Sequence, residues 1–144
     1  MEAAEYRERL LAQISEDEWS LLEASDSSLV INEHNRRTLL EMHAGSCIAD
    51  EEIDEGLALA LDSDLRAYLG EYMADQPEGH KWIVIASLYL TFVARRPMHP
   101  IDRVGIIIEE RDSATVYYCP SKTSGESLIC DCCVCEPLAT RLPA

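Results

Sequence analysis

The sequence predicts a mainly α protein: a helical bundle body over residues 1–96, followed by a small C-terminal β-hairpin and Cys-rich appendage over 97–144, α+β within one domain. Three observations carry this reading. Apolar residues recur at helical spacing through the first part of the chain. β-branched and aromatic runs bounded by turn residues follow Pro97. Five of the six cysteines fall between positions 119 and 135. A length of 144 residues suits one domain with its own core.

Tyr6, Leu10 and Ile14 form the first amphipathic stripe. Ser15-Glu16-Asp17-Glu18 has the S-x-x-E form of a capping box, so a second helix starts there and turns Trp19 and Leu22 inward. Ser27 or Ser28 is the expected cap of a third helix running through Leu39 and Leu40 toward Gly45. Asp50 is the expected cap of a fourth, burying Ile53, Leu57, Ala60 and Leu61. Asp62-Ser63 should interrupt or re-cap it before a stripe of Leu65, Tyr68, Leu69, Tyr72 and Met73.

Pro77-Glu78-Gly79 marks a loop, and Trp82 to Ala94 is then apolar on all sides for 13 residues. That is too long for a typical strand and short of the roughly 20 residues that span a bilayer, so a buried central helix is expected. Arg95 and Arg96 suit its C-terminal end, and Pro97 and Pro100 stop it. Val104–Ile108 and Thr115–Tyr118 read as the two strands of a hairpin, joined by a turn over 110–113.

Composition narrows the function. Lys and Arg number 12 against 27 Asp and Glu, a net charge of −15, which argues against a nucleic-acid partner and against an anionic membrane surface. The acidic excess lies in the first half: residues 1–72 hold 18 acidic and 5 basic side chains, including Asp50, Glu51, Glu52, Asp54 and Glu55. No basic start precedes an apolar run at the N-terminus, so a cytoplasmic location with reduced thiols is expected. No phosphate-binding glycine loop, nucleophile elbow or paired E-x-x-H occurs. His34, His43 and His80 read as exposed or partly packed side chains, and Cys47 as a small buried hydrophobe.

The chemistry-bearing element is the cysteine group with His99. Soft thiolates with an imidazole suit zinc, or an iron–sulfur cluster as the alternative. Cys130-x-x-Cys133 can present two sulfurs from one turn, Cys119 a third at a strand end, and His99 a nitrogen. Cys132-x-x-Cys135 is an overlapping pair, which makes Cys132 and Cys135 alternative ligands. Two functions follow: a zinc-stabilised accessory protein that meets a protein partner, or a thiol or iron–sulfur redox protein in which Lys122 or Arg103 lowers a thiol pKa.

The run Tyr89-Leu90-Thr91-Phe92, then Pro97-Met98-His99-Pro100, then Tyr117-Tyr118-Cys119-Pro120-Ser121-Lys122, then Cys130 with Cys133, resembles an uncharacterised archaeal family found mainly in methanogens, domain of unknown function family 2115. The resemblance marks His99, Cys119, Cys130 and Cys133 as family positions, with Cys132 and Cys135 as additions of this chain. It implies an anaerobic archaeal cytoplasm and no particular activity. Ile101-Asp102-Arg103-Val104-Gly105 stands where the family carries a glycine-rich stretch.

Overall fold

A computed structural model describes residues 1–45, 51–122, 125 and 127–141. The chain is mainly helical with a small sheet near its C-terminal end, as the sequence predicts. Helices α1 (Ala3–Leu11), α2 (Glu16–Glu23), α3 (Glu33–Ala44) and α4 (Glu55–Tyr72) surround α5 (His80–Leu88), which continues as a π-helical stretch, Tyr89–Ala94. Short α6 (Ile101–Val104) leads into β1 (Ile107–Arg111) and β2 (Ala114–Cys119), and α7 (Leu128–Cys132) precedes β3 (Glu136–Pro137). No described helix is long and apolar enough to cross a membrane.

The capping box at Ser15 forms as its spacing requires. The Glu18 amide donates to Ser15 Oγ at 3.2 Å and the Ser15 amide donates to Glu18 Oε1 at 2.9 Å. The third helix starts later than expected, capped by Asn32 rather than Ser27 or Ser28. The Ser28 amide is instead held by Asp26 Oδ1 at 2.8 Å, a turn that spends the Asp–Ser chemistry locally. Gly45, at φ 75, ends α3 in the left-handed conformation that glycine adopts without steric cost.

The largest departure is α4. Its cap is Asp54, whose carboxylate accepts the Leu57 amide at 3.0 Å; Asp50 and Cys47 lie outside the described residues. The helix runs through Asp62-Ser63 without interruption, because Asp62 pairs with Arg66 one turn on and because Ala58, Leu61, Leu65 and Leu69 form one unbroken buried stripe. Leu57, Tyr68 and Tyr72, expected inside, are 38%, 50% and 65% exposed.

The 82–94 segment is buried as its composition demands. Trp82, Val84, Ile85, Ala86, Leu88, Tyr89, Leu90 and Val93 are all in the core. It ends at Arg95, which takes φ 55, with the Arg96 amide donating back to Leu90 O at 2.8 Å. Arg95 also donates to Thr91 O, and Arg96 pairs with Glu41, which accepts the Tyr89 hydroxyl at 3.2 Å.

The hairpin is present with its first strand displaced: 101–104 is helical, and Gly105 at φ 73 ends that turn before β1 begins. Asp112 and Ser113, both at positive φ, form a two-residue turn between Arg111 and Ala114 that matches the right-handed twist of the strands. β3 adds in parallel to β2, pairing Tyr118 with Glu136 and Cys119 with Pro137. This pairing brings the 133–135 segment beside the end of β2. Met98 joins the core, and Ile129, Cys132 and Cys133 pack against it, so the C-terminal third is seated on the helical body.

A candidate thiol cleft

The cysteine segment is held by short, local devices. Ser127 Oγ accepts the Cys130 amide at 3.1 Å and starts the single turn of α7. Lys122, three residues beyond the end of β2, donates from Nζ to Cys133 O at 2.8 Å and to Cys135 O at 2.5 Å. One ammonium group therefore clamps the backbone on both sides of Val134. The β2–β3 pairing supplies the second anchor.

These anchors face the N-terminal end of α3, the middle of α4 and the start of α5 across a cleft of about 560 Å³. His99, Cys119, Cys130 and Cys133 all line it, and so does Cys135. The four residues that the family resemblance marks thus share one cavity with one of the two alternatives. Cys132 does not line it; that side chain packs toward the core, and burial with the adjacent Asp131 raises its pKa. Among the described residues no three His, Cys, Asp or Glu side chains converge closely enough to form a metal-ligand set. Arg103 is exposed and is not part of the wall, whereas Lys122 is.

Cys133 and Cys135 form the chemical centre of the cleft. The neighbouring Cys135 thiol lowers the Cys133 pKa to about 5, against the opposing effect of burial. Amide donors from Cys135 and Met98 and the Lys122 charge act in the same direction. Cys135 is shifted the other way, by the neighbouring Cys133 and by burial, and it is 3% exposed in an apolar setting. Of the two, Cys133 is the more acidic thiol and Cys135 the less acidic.

The rest of the cleft was not marked by any motif. His34, expected to be exposed or partly packed, is half-buried in its wall, with Nε2 3.2 Å from Met98 O. Asn35 and Ser87 supply polar surface, and Leu65, Leu69 and Ile83 supply the apolar side. His43 instead stacks on Trp19 at 4.0 Å between centroids, and His80 Nε2 meets Met73 O at 2.6 Å, both away from the thiols.

A family model described as "Uncharacterized protein conserved in archaea (DUF2115)" matches residues 3–137. A UPF0305 protein of Methanocaldococcus jannaschii is 31% identical over 98 residues, covering 63% of this chain and 57% of that relative. The chain thus spans less than two thirds of that relative's length. No solved structure matches the chain.

Proposed function

The chain belongs to this archaeal family of uncharacterised proteins, and on that premise we propose that it works through thiol chemistry at the Cys133–Cys135 pair, as a dithiol that exchanges with a disulfide substrate. The observation that carries the reading is that Cys133 and Cys135, two residues apart, both line a ligand-sized cleft, with Lys122 fixing both backbone carbonyls. A thiolate is the attacking species, and a neighbouring protonated thiol is the group that resolves its product.

The exchange balances without a further reagent. The Cys133 thiolate attacks one sulfur of R–S–S–R′, forming a Cys133–S–S–R bond as the original bond breaks and R′–S⁻ leaves. Cys135 then gives up its proton and attacks Cys133 Sγ, releasing R–S⁻ and closing a Cys133–Cys135 disulfide. The substrate takes two electrons from the protein, one proton from Cys135 and one from solvent.

Limiting iodoacetamide with peptide mapping across pH tests this. Cys133 should be alkylated first, with a midpoint well below the roughly 8.5 of an unperturbed cysteine. Reaction at Cys133 no faster than at Cys119 or Cys130, or a midpoint near that ordinary value, would overturn it.

A second reading has its own observation: His99, Cys119, Cys130 and Cys133 share one cavity. Small side-chain rotations there would build a structural zinc site, or hold an iron–sulfur cluster, in an accessory protein that meets a protein partner. One tightly held zinc per chain after anaerobic purification, with Cys133 shielded from alkylation until chelator is added, would select it. Iron with visible colour would select the cluster.

A further inference from the structure

We propose that the cleft is a binding site for a low-molecular-weight organic anion with an apolar body. The first observation is one of charge. The chain carries 27 acidic side chains and a net charge of −15, yet no described residue lining the cleft is Asp or Glu. Lys122 lines it, together with the imidazoles of His34 and His99. A surface this acidic places carboxylates almost everywhere, so a wall whose described residues include an ammonium group and no acid is a local reversal of the protein's charge.

The second observation is geometric. The N-terminal turn of α3, a helix of 12 residues, contributes Asn32, His34 and Asn35 to the wall. The helix dipole favours negative charge at that end.

The third observation is the polar part of the wall. Asn35 and Ser87 are each only 7% exposed, and both line the cleft. Among the described residues neither side chain has a hydrogen-bond partner: the bond at Asn35 is made by its backbone amide, to Asn32 Oδ1 at 2.7 Å. Their polar atoms are not sealed off, since Thr91 Oγ1 is the one enclosed side-chain N or O without a partner among the described residues, so the amide and the hydroxyl are open to whatever occupies the cleft. Leu65, Leu69 and Ile83 also line the cleft and offer a surface that an apolar moiety matches. The volume of about 560 Å³ is that of a small-molecule site. A molecule with an anionic head toward Asn35 and Lys122 and a hydrocarbon or aromatic body toward Leu69 satisfies every wall at once. It does not require the cysteines to react.

The test uses two probes of nearly the same shape, 1-anilinonaphthalene-8-sulfonate and its uncharged analogue N-phenyl-1-naphthylamine, titrated by fluorescence into the full chain. The sulfonate should bind once per chain and about tenfold more tightly than the neutral probe, against the overall negative charge. Asn35→Asp adds one negative charge at nearly constant shape, at a first-turn helix position where an acid is favoured. It should weaken the sulfonate about tenfold and leave the neutral probe within twofold. His99→Glu, at an exposed position on the cleft wall, is the second charge insertion should the first variant fold poorly. Equal affinity for the two probes, several sulfonates per chain, or sulfonate binding unchanged by both substitutions would overturn the proposal. Because no thiol takes part in the readout, its failure leaves the dithiol reading standing, and the reverse also holds.

Discussion

The helical body and the cysteine-bearing C-terminal third are built for different tasks. Among the described residues every large side chain less than 2% exposed lies at or before Val93, and Leu22, Leu39, Leu61 and Val84 are at 0%. Beyond it the core holds only Met98, Ile106, Tyr118 and Cys135, each 3–7% exposed. The body has the sealed packing that carries stability. The C-terminal third is held by a lysine clamp, a two-residue parallel strand and one helical turn, and it keeps its thiols at a cavity wall. The candidate thiols sit where packing is thin, on a rigid layer that fixes their geometry.

The largest expected effect breaks the body and spares the thiols. Leu61 is fully buried on α4, in the stripe that also carries Leu65 and Leu69 to the cleft. Leu61→Ala should cost about 3 kcal/mol of unfolding free energy by lost burial and the cavity left behind. Urea denaturation reads that loss directly. Under native conditions the alkylation rate of Cys133 should stay within twofold of the parent; a collapse of thiol reactivity in the folded variant would mean that the two regions are not separable.

The middle effect breaks the thiol pair and spares the body. Cys135→Ala removes the neighbouring thiol that lowers the Cys133 pKa, so alkylation of Cys133 near pH 7 should slow by about tenfold and its midpoint should move up toward the ordinary thiol range. The pair also sets a pH dependence of stability. Cys133 has a lowered pKa in the folded state, so its contribution is present above the unfolded thiol value and is lost as pH falls through the folded one. Cys135 has a raised pKa, so its contribution is present below the unfolded value and is lost as pH rises. Together they place the pair's greatest contribution near the unfolded thiol pKa of about 8.5, declining on both sides. Denaturation midpoints measured from pH 5 to 10 should show that maximum in the parent and not in Cys135→Ala.

How far these features could be read from the chain depends on whether they are local. The Ser15 capping box, the buried run at 82–94 and the hairpin are encoded within a few residues each, and all three form. The gathering of His99, Cys119, Cys130 and Cys133 follows from the spacing of turns and strand ends. Three features lay beyond such reading. Asp62 looks like a cap in sequence and serves as the partner of Arg66 in the middle of a helix, a choice settled by the buried stripe that continues past it. The two-residue β3 has no periodicity to detect, yet it decides that Cys135, rather than Cys132, faces the cleft. Asn35 and Ser87 meet only because α3 and α5 pack together, and nothing near either residue in sequence announces a polar wall.

The smallest effect sharpens the comparison from the far end of the body. Ser15 satisfies the Glu18 amide, and Glu18 in return accepts the Ser15 amide and two bonds from Lys81, which ties α2 to α5. Ser15→Ala removes one partner of an orphan helix amide and should cost about 1 kcal/mol. The Glu18 carboxylate keeps Lys81, so the α2–α5 contact survives and the loss stays local. Thermal unfolding should show a drop in midpoint of a few degrees, with Cys133 reactivity and sulfonate binding unchanged. A change in either would show that the cleft senses the helix ends of the body, and the division between a stabilising layer and a reacting layer would have to be redrawn through α5.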